Sequence, residues 1–186
     1  KQDDSKVFGV YSNARFFNSR SLIFSNETNI NIDSIGRVNG MCGSSPCYLF
    51  YKKHLLDING FDEKLINNED FDLIIRLLKI NYKFKYINDF GLIIHQTKNS
   101  VSRNKNFRKK FNYSLNFLKK AQKNDYFSDK ELNNRFKETY ITFSKDLFLE
   151  KYFTKEFFYY LDKSFLFSKP ANLKEYFLFF ISKLVY

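Results

Sequence analysis

The chain has 186 residues, 44% of them hydrophobic and 20% aromatic, with only 6 Gly and 2 Pro. It is too apolar for a mainly disordered chain and long enough to bury a real core, as one domain or one domain plus an appendage. Its 31 Lys and Arg against 20 Asp and Glu give a net charge of +11, which points to anionic company: sugar nucleotides, phospholipid head groups or nucleic acid.

The charge is uneven. Residues 1–100 carry 13 basic and 11 acidic side chains, whereas residues 101–186 carry 18 and 9, so the excess belongs to the C-terminal part. Cys42 and Cys47 are the only cysteines. Without nearby histidines they cannot form a four-ligand zinc site, and a secreted disulfide scaffold would need more, so reduced thiols in a cytosolic protein are expected. The chain opens at Lys1 with neither an initiating Met nor a secretory signal, and it reads as a fragment.

In chain order, Asp3-Asp4 is a solvated acidic pair. Val7 to Tyr11 is a short apolar run of β-formers and predicts a strand, with Ala14 to Phe17 continuing it or pairing locally and Ser21 to Phe24 as a hairpin partner. Residues 25–40 are polar and loop-like, and Gly40 to Ser45 is small and permissive. A buried strand is expected over Cys47 to Tyr51, then a short helix from His54 to Ile58 with His54 on the surface.

The stretch from Asn59 to Leu78 holds the only cluster of carboxylates set against an apolar helix. Leu73, Ile74, Leu77 and Leu78 recur at helical spacing, so the backbone should be helical from about Glu69 with one buried stripe. Asn67 and Asn68 are ready N-caps. Glu69, Asp70 and Asp72 then fall in the first turn, where unpaired amides and the helix dipole favour negative charge. Asp72 can pair with Arg76 along one face, while Asp70 points to another side. Helix grammar alone leaves two readings: dipole-compensating caps, or a carboxylate on a rigid helix end serving as a general base.

Tyr82 to Ile87 alternates and predicts a half-buried strand, and Gly91 to His95 predicts a second. From Asn104 the texture changes. Phe107, Phe111, Leu115 and Leu118, and then Leu132, Phe136, Tyr140, Phe143 and Leu147, recur at helical spacing, with Ser128 or Asp129 able to cap the second helix. Phe153 to Phe167 and Asn172 to Tyr186 predict two more helices, separated at Ser168-Lys169-Pro170. The apolar run Tyr176 to Tyr186 falls short of the ~20 residues needed to cross a bilayer. It either lies in the interface of an anionic membrane or packs the helical appendage.

Three pieces together, Ser44-Ser45-Pro46-Cys47-Tyr48-Leu49-Phe50-Tyr51-Lys52-Lys53, Leu55 to Leu65 with Asn59-Gly60-Phe61-Asp62, and Asn68-Glu69-Asp70-Phe71-Asp72-Leu73 with Arg76, resemble the acceptor-side half of family 2 glycosyltransferases of the GT-A fold. Order and spacing match from Phe8 to Arg103. The resemblance implies an α/β chain: residues 1–103 as the acceptor-side half of a GT-A domain, lacking the nucleotide-binding half, and residues 104–186 as a helical C-terminal extension.

It further implies that Asp70, assisted by Glu69, takes the proton of an acceptor hydroxyl that attacks a nucleotide sugar with inversion. Gly43, Ser44 and Ser45 would line the acceptor pocket with Asp72 and Arg76, although these small residues can equally just turn the chain. His95 corresponds to a histidine that in metal-dependent members approaches the metal, and Ser100, Ser102 and Arg103 to residues near the donor diphosphate; a lone histidine at a strand end can equally be structural. A divalent Mn or Mg ion is implied for the intact enzyme, but its Asp-x-Asp ligands are not in this chain. The expected partners are a nucleotide-sugar donor and a glycan or lipid-linked acceptor in surface polysaccharide synthesis, in the cytoplasm or at the inner face of the cell membrane. The alternative is a noncatalytic acceptor- or membrane-docking module derived from such an enzyme. Nucleic-acid binding is disfavoured, because the aromatics follow helical core spacing and no recognised motif accompanies them.

Overall fold

A computed structural model describes residues 7–16, 48–95 and 106–183 of the chain. They are mixed α/β and mostly helical, with one small sheet. The chain divides into two compact units, Lys1–Asn104 and Lys105–Tyr186. The expected hairpin partner Ser21–Phe24 and the Gly40–Ser45 loop lie outside the described residues.

In the first unit, strands β1 (Val7–Phe16), β2 (Tyr48–Phe50) and β3 (Lys83–Ile94) form a sheet of order β2-β1-β3. β1 pairs antiparallel with β2 and parallel with β3. Parallel neighbours need a crossover, and helices α1 (Lys52–Asp57) and α2 (Glu69–Lys79) lie on it. Gly9 lies in the β1–β2 pairing, where an added Cβ would collide with the Leu49 carbonyl oxygen.

Three expectations need correction here. The strand around Cys47 to Tyr51 is not buried throughout: β2 is an edge of the described sheet, with Tyr48 inside and Leu49 facing out. The two strands expected over 82–95 are one. Ser12 pairs with Ile87 and Ala14 with Leu92, so the polar break Asn88-Asp89 and Gly91 is absorbed as bulging of β3 rather than as a turn. Helix α2 buries far more than one stripe: Phe71 to Ile75, Leu77 and Leu78 are all buried. In the sheet, Tyr48, Phe50 and Phe84 pack as an aromatic trio, with ring centroids 5.4–6.2 Å apart.

The second unit is helical: α3 (Phe107–Lys123), α4 (Asp129–Lys151), α5 (Lys155–Ser164) and α6 (Leu173–Ser182). Each start is capped by its own sequence. Asn106, Ser128, Thr154 and Asn172 accept from the third backbone amide on, and Ser128 with Glu131 completes a capping box. The core is aromatic: Phe111 stacks on Phe143 at 4.0 Å, Tyr160 meets both edge-on, and Tyr140 and Phe136 stack on Phe167. Arg108 forks onto both oxygens of Glu156, at 2.5 and 2.9 Å, and reaches Glu150, tying α3 to α4 and α5. Among the described residues no helix is long and apolar enough to cross a membrane.

Helix α6 is attached by its polar side. The buried Lys137 of α4 donates to Glu175 at 2.7 Å and to the Lys169 carbonyl at 3.1 Å. Burial pushes the Glu175 carboxyl up, but the Lys137 ammonium, the Ala171 amide and Asn172 outweigh it and hold the group below its ordinary 4.5.

Two predictions follow from these contacts. Gly9→Ala should cost roughly 2 kcal/mol or more, because backbone rather than a side-chain tip must move; an unchanged urea midpoint would contradict the close approach. A carboxyl lowered in the fold adds stability above its ordinary titration range and loses it as the pH falls through the lower folded value. The melting temperature gap between the natural chain and Glu175→Gln should therefore be open at pH 6 and shrink as the pH falls through and below the ordinary carboxyl range. A gap that does not change with pH would mean that the Glu175 charge does not hold α6.

Candidate functional site

The site grows from the end of one helix and the start of another. Helix α1 ends in a Schellman turn: the Asn59 amide donates to the Leu56 carbonyl and the Gly60 amide to the Leu55 carbonyl, with Asn59 left-handed at φ 60°. Gly60 follows at φ 59°, a conformation that suits glycine. The Asp62 carboxylate accepts from the Lys64 amide and the Asp62 carbonyl from the Leu65 amide. This tight turn drives Leu65 into the interior, while Phe61 stays 41% exposed.

Entry to α2 differs from expectation. Asn68 occupies the N-cap position but is left-handed, at φ 63°, and its side chain caps nothing. Its carbonyl accepts the first helical bond, from Asp72, and its own amide donates to the Asn67 side chain. Asparagine is among the few residues that tolerate this backbone without glycine. The turn sets Glu69 and Asp70 on the first helical positions, both half-buried, with the Asp70 Oδ1 accepting from the Phe71 amide at 2.8 Å.

Asp72 and Arg76 pair as expected, with Nε donating to Oδ2 at 2.8 Å. Arg76 does more than this. Its Nη1 donates to the Ile58 carbonyl at 3.0 Å and its Nη2 to the Gly60 carbonyl at 2.6 Å, so one guanidinium joins the end of α1 to the first turns of α2. Asp72 is fully buried, at 0% exposure. Its placement among the acceptor-binding residues is therefore corrected: a carboxylate with no accessible surface orients Arg76 and cannot meet an acceptor from solution. Arg76 is half-buried, with its donors directed to the loop carbonyls.

His54 also departs from expectation. It is half-buried, its Nδ1 lies 3.0 Å from the Tyr82 hydroxyl, and its ring packs at 5.0 Å from that of Tyr82 and 5.9 Å from that of Tyr51. It joins α1 to the turn before β3, a contact across 28 positions that no local pattern announces. His95 directly follows β3 and is exposed. Gly43, Ser44, Ser45, Ser100, Ser102 and Arg103 lie outside the described residues. No group of three His, Cys, Asp or Glu side chains able to hold a metal ion comes together among the described residues. His95 is one donor where a divalent ion takes several, so these residues do not by themselves fit the implied ion.

No protein-family model, no characterised protein and no solved structure matches the chain. What the site can do rests on its own geometry. A loop pinned at both ends presents one aromatic face, Phe61, ahead of two half-buried carboxylates on a rigid helix start.

Removing the guanidinium tests this frame. Arg76→Leu leaves Asp72 buried without its cation and should destabilise the fold by roughly 3 kcal/mol, the scale for breaking a buried pair. Arg76→Lys should recover only part of that, because a single ammonium cannot serve three acceptors in a fork. Equal denaturation midpoints for Arg76→Lys and the natural chain would show that the carbonyl contacts contribute nothing.

Proposed function

We propose that the chain carries the acceptor side of an inverting glycosyltransferase of the GT-A, family 2 type, with Asp70 as the general base. The acceptor hydroxyl oxygen attacks the anomeric carbon of a nucleotide sugar and the bond to the diphosphate oxygen breaks. The proton of the hydroxyl passes to the Asp70 carboxylate. The products are the glycoside, with inverted configuration, and the nucleoside diphosphate.

One observation carries this reading: the Arg76 fork, which holds the Ile58–Gly60 turn against the helix that begins at Glu69 and Asp70. A general base must hold its oxygen within about 3 Å of the proton it takes, and a carboxylate on a clamped helix start meets that demand better than one on a loop. Asp70 is half-exposed and separated from the buried Asp72 by its place on the helix, so the two carboxylates have different work. Glu69, next to it and equally half-exposed, can share the acceptor's hydrogen bonds. The exposed Phe61 ring offers the apolar face on which a sugar stacks. The donor sugar, the Mn or Mg ion and its Asp-x-Asp ligands, and the role of His95 at the diphosphate belong to the same proposal.

The test is transfer from a panel of nucleotide sugars, measured on the protein in its natural length with product detected by mass. Asp70→Asn should lower the rate by about 10²–10⁴-fold with the melting temperature preserved. Retained transfer by Asp70→Asn would move the base elsewhere, first to Glu69, and absence of transfer from any nucleotide sugar would overturn the reading.

A further inference from the structure

Helix α6 has two apolar faces. The inner one, with half-buried Leu178, Phe179 and Ile181 and with Phe179 packed edge-on against Phe165 at 5.4 Å, also carries the polar ties: Glu175 bonds Lys137, and the buried Ser182 donates to Asp162 at 3.3 Å and to the Phe179 carbonyl at 2.7 Å. Lys183, just past the helix, also pairs with Asp162. On the opposite side Leu173, Tyr176, Phe177 and Phe180, at positions i, i+3, i+4 and i+7, form one outward stripe. Leu173 is 89% exposed, Phe177 66% and Phe180 65%. A helix that only completes a core would turn these residues inward. Here three hydrogen-bonded polar anchors hold them outward.

From this arrangement we infer that α6 is a docking face for an anionic lipid bilayer, its Leu173-Tyr176-Phe177-Phe180 stripe lying at the level between head groups and acyl chains. Four observations select that occupant. The stripe is leucine and aromatic, the composition of helices that lie in a bilayer interface, and Lys174 stands exposed at its border, where head-group phosphates would be. The charge complements such a surface: residues 105–186 carry 17 basic and 9 acidic side chains. The area argues against a second copy. Four side chains expose a few hundred Å², short of the ~800 Å² per partner of a stable protein interface, and two units of the same positive sign repel. The length fits a helix lying on the surface, since α6 has 10 residues. The inference stands on the helical unit alone and does not require the chemistry assigned to Asp70.

The chain contains no Trp, so Phe177→Trp installs a single reporter in the stripe without touching the polar anchors. Full-length Phe177→Trp is titrated with vesicles of phosphatidylcholine containing 30% phosphatidylglycerol, then with phosphatidylcholine alone. Expected are a blue shift of emission and quenching by brominated acyl chains with the anionic vesicles, reduced at least several-fold by zwitterionic vesicles or high salt. In vesicle sedimentation the stripe variant Leu173→Asn/Phe180→Gln, folded by circular dichroism, should lose most of its binding. Equal sedimentation of the variant and the natural chain would overturn the inference, since basic residues alone would then explain adhesion. So would an unshifted emission in the presence of vesicles, or a natural chain that ignores vesicles and dimerises in a way the variant abolishes.

Discussion

One guanidinium holds the first unit in register. Arg76 reaches back 16 and 18 positions to two backbone carbonyls while its Nε is gripped by a carboxylate with no exposure to water. A buried charge pair on its own is a weak source of stability, because desolvation offsets most of the attraction. Its value here is geometric. The planar fork specifies where the end of α1 lies against the start of α2, and an apolar contact of equal volume would leave that angle loose. Everything between the two helices, including Phe61, the Asp62 turn and the Leu65 plug, is suspended from those two carbonyls.

The helical unit solves a different problem. Its charges are numerous, but the ones that matter join elements: Arg108 links α3 to α4 and α5, and Lys137 links α4 to α6. The Glu156 hydrogen bond, acting against modest desolvation, pushes Arg108 well above its ordinary range, as expected of a bidentate pair. Between these ties the interior is filled by rings whose offset and edge-on contacts replace the branched aliphatics of a more usual bundle.

Much of this was legible because the patterns were local. Three helical segments followed from apolar spacing, and Ser128 with Glu131 three residues on is a capping signature that can be read by eye. The Asp72–Arg76 pair was legible for the same reason, being one turn apart on one helix. What escaped were consequences of tertiary placement. Asn68 looks like an N-cap and is one by position, yet a left-handed backbone directs its side chain away from the cap. His54 looks like a surface residue until Tyr82 arrives from 28 positions away. The sequence reads as two strands, Tyr82 to Ile87 and Gly91 to His95, and only the pairing of β3 with an uninterrupted β1 joins them through a bulge. For α6 the sequence left two readings open, since apolar spacing identifies a stripe but not the direction in which neighbouring salt bridges will turn it.

Gly60 takes one left-handed corner, but among the described residues the left-handed helix ends fall on other residue types. Helices α1, α2 and α3 each finish in a Schellman turn whose left-handed residue is Asn59, Asn81 or Asp125. Glycine would adopt each corner with less native strain. A side chain at those positions, however, removes conformations from the denatured chain, so less freedom is lost when it folds. These helix ends therefore act partly on an ensemble in which none of their hydrogen bonds exists, and replacing them with glycine would relax the native corners while widening the population against which the fold competes.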